Sequence, residues 1–258
     1  ANISLNLTGY TYLIKDDDLT INAGYLLTIS PGTIFKFYDV RDIFINGTIR
    51  AQGTPSQPIV FTAAKDDAYA DENGQGDSNG DGITLPSAGT WGGVKFGSTS
   101  DGVNSIISNA VFRYGGQGNY SVCCTTWYYS EDSQLVVDGV NPQIENVKFY
   151  YTGKNHLKIL GSGYPDLGGG EHSSLGKNEF NNLTQGGGKY AVYNDSGNNI
   201  YAKNNYWGFT VPSQIDGIIY DKKDNSAKGE VFYLPYGDTG IQCTNNDQCA
   251  SAHCVDNV

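Results

Sequence analysis

The chain has no methionine, few cations and no apolar run near the ~18 residues that a membrane span requires. Arginine is limited to Arg41, Arg50 and Arg113. With 16 Lys and Arg against 27 Asp and Glu, the net charge is −11. Nucleic acids and anionic membrane surfaces both require a basic footprint, so this balance argues against either as a partner. A phosphate-binding loop of the Gly-x4-Gly-Lys-Ser/Thr type is also missing: Lys177 precedes Asn178 in a glycine-rich turn with no helical pattern after it. No segment shows a convincing helical face of ten or more residues.

What the chain has instead is glycine (34), tyrosine (19) and short alternating apolar segments. Residues 10–14, 19–21, 26–29, 33–38, 43–45 and 48–51 read as strands punctuated by Gly, Asn and Pro. Residues 231–236 read as a last strand, and 209–228 as a looser stretch. The length of 258 residues suits one large all-β domain, a sandwich, barrel or solenoid.

An internal repeat selects the solenoid. Ile107, Asn109, Phe112, Tyr114 and Gly116 recur as Ile144, Asn146, Phe149, Tyr151 and Gly153, all at one offset, with a weaker echo at Asn178, Phe180 and Asn182. In a β-solenoid like residues stack coil on coil, apolar ones inside and asparagines bonding between turns. These repeated residues are therefore expected to be core and corner rather than site.

Residues 64–96 carry the densest functional signal. Asp77, Asn79 and Asp81 alternate with Gly80 and Gly82, and Asp66, Asp67, Asp71, Glu72 and Asn73 precede them. This is the ligand rhythm of the first half of an EF-hand loop, but no acid lies in 85–91 to supply the bidentate Glu, so it is not an EF-hand. Hard cations take oxygen ligands, Ca2+ six to eight of them. The expected ligands are Asp66, Asp67, Asp77, Asn79 and Asp81, with Asp71 and Asn73 behind them. Strand-like residues 58–62 and 91–96 flank the loop, and a long loop between ordered strands usually has a function.

The succession Asn46-Gly-Thr-Ile-Arg-Ala-Gln-Gly-Thr54, Pro58-Ile-Val-Phe-Thr62, the acidic loop and Trp91-Gly-Gly-Val-Lys-Phe96 resembles secreted and cell-surface right-handed parallel β-helix proteins, pectate-lyase-like solenoids with an acidic calcium loop. Asn198 to Gly208 and the glycine-rich turns at 164–178 continue the likeness over about two thirds of the chain. The resemblance implies a right-handed parallel β-helix over residues 1–240, Ca2+ as cofactor, and an extracellular or cell-surface location. It implies little about activity, because fold does not set function. Ala1 opens on folded-looking sequence, which suits a processed N-terminus. Asn2, Asn6, Asn46, Asn119, Asn182 and Asn194 are glycosylation sequons.

Residues 241–258 form a Cys-rich tail with Cys243, Cys249 and Cys254, resembling small secreted Cys-rich repeats. Zinc is the competing reading, with His253 beside Cys254, though the spacing is not a pair of CxxC motifs. The secreted character favours disulfides. Cys123 and Cys124 bring the total to five, so one thiol is free, joins another chain, or pairs beyond Val258. The insertion around them bears Tyr120, Trp127, Tyr128 and Tyr129, candidate glycan or partner contacts, since exposed aromatic rings stack on sugars.

No catalytic set is recognisable. His156 and His172 stand in no Ser or Cys nucleophile motif. The expected role is structural or adhesive, as a fibre subunit, surface-layer component or glycan-binding module that assembles end to end. The alternative is a Ca2+-dependent polysaccharide lyase or glycosidase, with Lys95 or Arg113 beside a metal-bound uronate.

Overall fold

The computed structural model describes residues 3–5, 10–69, 76–118, 120–122, 126–128, 130–184 and 187–237. Asp71, Asn73, Cys123, Cys124, Tyr129 and the whole Cys-rich tail, with Cys243, Cys249 and Cys254, lie outside them. The fold is all-β, with parallel strands stacked coil upon coil in a solenoid-like arrangement.

Each coil contributes strands to three faces. The first face stacks Thr11–Ile14, Ile34–Phe37 and Ile59–Ala63, then the second half of Ile106–Arg113, the second half of Gln143–Tyr150, and Glu179–Phe180. The second face stacks Leu19–Ile21, Ile43–Ile45, Val94–Phe96, Ser133–Asp138, Asn155–Leu160, Tyr190–Asn194 and Ile219–Tyr220. The third begins with Ile3–Leu5, Leu26–Ile29 and Thr48–Gln52. It continues into the first halves of the two long strands, which turn a corner and join faces one and three into a nine-stranded sheet.

The corner inside each long strand is an asparagine. Asn109 and Asn146 have φ of 48° and 54°, a left-handed conformation that asparagine tolerates better than most side chains. Asn146 donates its side-chain amide to the Asn109 side-chain oxygen one coil away. The repeat seen in the sequence is the register itself, since Ile107 pairs Ile144 and Phe112 pairs Phe149, 37 residues apart.

The interior is a column of rings. Tyr12, Phe35, Phe61, Phe112, Phe149, Phe180 and Trp207 stack in order, with centroids 5.6, 5.3, 4.6, 5.3, 5.3 and 4.8 Å apart. These separations follow the ~4.8 Å spacing of hydrogen-bonded strands, so the backbone ladder sets the ring stack. Trp207 closes on Tyr233 edge-on at 6.0 Å.

Residues 209–228 differ from the loose stretch expected. They hold the one helix among the described residues, Pro212–Asp216, which starts on a proline and buries Ile215. They also hold strand Ile219–Tyr220, whose Tyr220 stacks on Tyr193 at 4.3 Å. Among the described residues no helix is long and apolar enough to cross a membrane. At the N-terminal end, Ile3–Leu5 pairs with Leu26–Ile29 of its own chain.

The described part of the acidic segment lies over the outer side of the first face. Strand Ile34–Phe37 is buried at every position, inside and out. Outward-facing Ile34, Val60 and Val111 form a second apolar cluster with Tyr69 packed against it. Lys36, fully buried on the same face, donates its ammonium to the Gly76 carbonyl at 2.6 Å.

Candidate functional site

The acidic loop gathers three carboxylates. Oxygens of Asp67, Asp77 and Asp81 all lie within 4.8 Å of one another. With Ca–O bonds of about 2.3–2.6 Å, ligands on opposite sides of one ion are about 5 Å apart, so the cluster has the size of a single hard-cation site. Backbone geometry builds it. Gly80 and Gly82 take φ of +78° and +85°, where a side chain would be strained, and fold the chain around Asp77. Asp77 Oδ1 accepts the Gly80 and Asp81 amides at 2.7 and 3.2 Å, and its Oδ2 accepts Gly82 N at 3.0 Å.

Thr84 ties the two ends of the loop together. Its amide donates to Asp67 Oδ2 at 2.6 Å and its hydroxyl to Asp81 Oδ1 at 3.1 Å. Asp67 Oδ1 is buried with no hydrogen-bond partner, a costly state for a carboxylate oxygen. No salt bridge reaches any of the three acids among the described residues. Three like charges, one with an orphaned buried oxygen, fit a divalent cation as their counter-charge.

The other expected ligands lie as follows. Asn79 Oδ1 accepts the Asp81 amide at 3.3 Å, at the edge of the cluster. Asp66 faces away from it. It is fully buried, accepts the Thr62 hydroxyl at 2.5 Å and pairs with Arg113 at 3.2 Å. Arg113 in turn lies over the rings of Tyr69, Tyr114 and Tyr151 at 5.0–5.8 Å. Burial works against the Arg113 charge, but Asp66 and Tyr114 outweigh it and raise its pKa above the ordinary value. An arginine held this way is a structural clamp at the foot of the loop.

Lys95 is paired with Glu131 at 3.1 Å. His156 is fully buried between Gln134 Oε1 at 2.6 Å and the Asn181 carbonyl at 2.8 Å. The sequon at Asn194 is closed by the fold, because this asparagine is buried and its amide donates to the Asn198 and Gly229 carbonyls. Tyr120, Trp127 and Tyr128 fall on an antiparallel hairpin, Tyr120–Val122 with Thr126–Tyr128.

The acids around a cleft on the second face were not singled out from the sequence. This cleft, of about 570 Å3, lies against the outer side of the second face and is lined by Asp42, Phe44, Gln117, Glu131, Asp132 and Lys158 among others. Asp42 and Glu131, which meet there, are 89 residues apart in the chain, with no motif linking them.

No family model matches the chain, and no curated protein or solved structure matches it either.

Proposed function

We propose that this chain is a calcium-stabilised right-handed parallel β-helix of the extracellular space or cell surface, with a structural or adhesive role. The observation that carries the reading is the convergence of Asp67, Asp77 and Asp81, with an unpartnered buried oxygen, on a loop fixed between two strands. Right-handedness is the expectation for parallel strands joined by crossovers, which take that hand in about 98% of cases. A site with three carboxylates among the described residues fits the weak, extracellular class of calcium sites, with dissociation constants near 10⁻⁴–10⁻³ M.

A structural role is further supported by the ends of the stack. Among the described residues, Ile3–Leu5, Thr11–Ile14 and Leu19–Ile21 each have a strand neighbour on one side alone. Exposed parallel edges template further strand pairing, so end-to-end association of copies follows as part of the proposal. The lyase alternative gains nothing from its nominated groups, since Lys95 and Arg113 are both held in ion pairs.

The test is thermal melting with Ca2+ and with chelator, on the wild type and on an Asp77→Asn, Asp81→Asn double variant. At 100 times its dissociation constant, a ligand specific to the folded state adds about 2.7 kcal/mol. For a domain of this size that corresponds to roughly 5–11 °C. The wild type is expected to show that rise and the double variant to lose it. Equal melting in calcium and chelator for the wild type would refute the metal. Concentration-independent monomer mass in light scattering would refute the assembly.

A further inference from the structure

The cleft on the second face has the composition of a ligand site, and its described lining shares no residue with the Asp67, Asp77 and Asp81 cluster. Its back wall is Asp42, which is fully buried. One oxygen of Asp42 is used structurally: Oδ1 accepts Gly93 N at 2.6 Å and Glu131 N at 3.4 Å. The other, Oδ2, is buried and has no partner. A second acceptor in the lining, Gln117 Oε1, is likewise buried and unpartnered. Two buried oxygens without partners in one cavity call for a ligand rich in hydrogen-bonding groups, because an unmade bond at a buried polar atom costs its full desolvation.

The charges around them decide what kind of donor. Asp132 binds both Lys154, at 2.9 Å, and Lys158, at 3.0 Å, and Glu131 binds Lys95. Burial would raise the Asp132 pKa, but the hydrogen bonds from the two lysines outweigh it and hold it below the ordinary carboxylate value. Lys95, Lys154 and Lys158 are thus each held by a carboxylate, with Asp132 shared between two of them, so an anionic ligand would have to compete with Glu131 and Asp132 for these cations. Phe44 adds an apolar ring to an otherwise polar lining. Donor groups on a neutral body with an apolar side describe a sugar, and the volume falls within the few hundred to 1,000 Å3 typical of ligand cavities. The hairpin bearing Tyr120 and Trp127 leaves and rejoins the chain at the rim, between Gly118 and Ser130.

We infer that this cleft binds a neutral, hydroxyl-rich oligosaccharide, anchored by hydrogen bonds between its hydroxyls and Asp42 and Gln117. The site is pH-gated. Burial, against the Gly93 and Glu131 amides, pushes the Asp42 pKa up to about 7. Glu131 faces it from one side and Asp18, which accepts the Asp42 amide at 2.9 Å and lies 4.0 Å from Arg41, from the other. A neutral ligand that strips the remaining water from Asp42 favours the protonated acid, whose hydroxyl can donate to or accept from a sugar hydroxyl.

The experiment is calorimetric or fluorescence titration with cellohexaose, xylohexaose and maltohexaose, run in chelator so that failure of the metal reading leaves it untouched. Oligogalacturonate and chitosan oligomers serve as the anionic and cationic comparisons. At least one neutral oligomer is expected to bind, about 30-fold more tightly at pH 5.5 than at pH 8.5, the ratio of protonated Asp42 for a pKa of about 7. Asp42→Asn keeps the oxygen that holds Gly93 and mimics the neutral acid, so binding persists and becomes flat with pH. Phe44→Ala and Gln117→Ala each weaken binding, in a protein whose melting is near that of the wild type. Any of three results overturns the inference: no neutral oligomer binds, an ionic oligomer binds better, or Asp42→Asn retains the wild-type pH profile. Release of new reducing ends would overturn it in favour of an enzyme.

Discussion

The ring column makes a graded prediction about stability. Phe112 is fully buried, with Phe61 at 4.6 Å on one side and Phe149 at 5.3 Å on the other. Replacing a buried Phe by Ala typically costs about 3–5 kcal/mol. Two stacked partners, each worth about 0.5–1.5 kcal/mol beyond area burial, place Phe112→Ala at the upper end, about 4–5 kcal/mol. Phe112→Leu keeps most of the volume and loses the ring contacts, so it should cost about 1–2 kcal/mol. Tyr12, at the end of the column, is half-buried with Phe35 as its stacking neighbour at 5.6 Å. Tyr12→Ala should cost about 1 kcal/mol, because half-burial recovers only part of the ~1.5–3 kcal/mol of a fully buried side chain. Urea unfolding followed by tryptophan fluorescence and by far-UV circular dichroism measures all three, and the Phe112→Ala melt should drop by roughly 8–20 °C. In a stack where each coil touches only its neighbours, an interior lesion removes two interfaces and a terminal one removes a single interface. Equal losses for Tyr12→Ala and Phe112→Ala, or a Phe112→Ala cost below about 2 kcal/mol, would refute this reasoning.

Two further predictions concern buried charge. Asp66→Asn leaves the Arg113 guanidinium without its counter-ion among three tyrosines, and should cost about 3–5 kcal/mol in urea unfolding, while Asp66→Leu with Arg113→Met should recover much of that loss. Asp42 has a folded pKa of about 7 against an ordinary 3.8, so the folded state holds a proton that the unfolded chain releases between those values. Its contribution is fully present below about pH 3.8 and is lost as pH rises through 7, at about 1.4 kcal/mol per unit. Wild-type stability measured against Asp42→Asn should therefore fall by about 3 kcal/mol from pH 4 to pH 7, and a flat difference would refute the buried-acid description.

The parts of this molecule that were legible in the sequence are those written in local periodicity. The match of Ile107, Asn109 and Phe112 to Ile144, Asn146 and Phe149 is visible because stacked coils demand the same residue types at the same corner, and the structure pairs those residues directly. The flanks of the acidic segment were legible too, since Ile59–Ala63 is a short run buried at every position and Val94–Phe96 alternates, both strand signatures. Asp66 was not. It is adjacent to Asp67 in the chain but turns toward Thr62 and Arg113, and nothing in a run of acids says which carboxylate faces which way. The cleft was illegible altogether. Asp42 reaches Gly93 and Glu131 across 51 and 89 residues because successive coils return to the same face, and that proximity depends on the lengths of the intervening loops.

Those loop lengths follow a rule of position. The passage from the first face to the second is made by residues 15–18, 38–42, 64–93, 114–132, 151–154 and 181–189 on successive coils. The two longest excursions, the acidic segment and the hairpin insertion, leave from this same corner on adjacent turns of the stack, while neighbouring turns cross it in a few residues. The corner is thus a mounting rail. Lengthening a flexible loop costs only about 0.6 kcal/mol per doubling, and the strands on either side are held by coils above and below rather than by the loop. A foreign peptide grafted between Asp16 and Asp17, both exposed, would be displayed in line with the natural loops. Cargo placed on successive turns would be spaced by the ~4.8 Å interstrand distance, which gives a ruler for arranging two binding segments side by side.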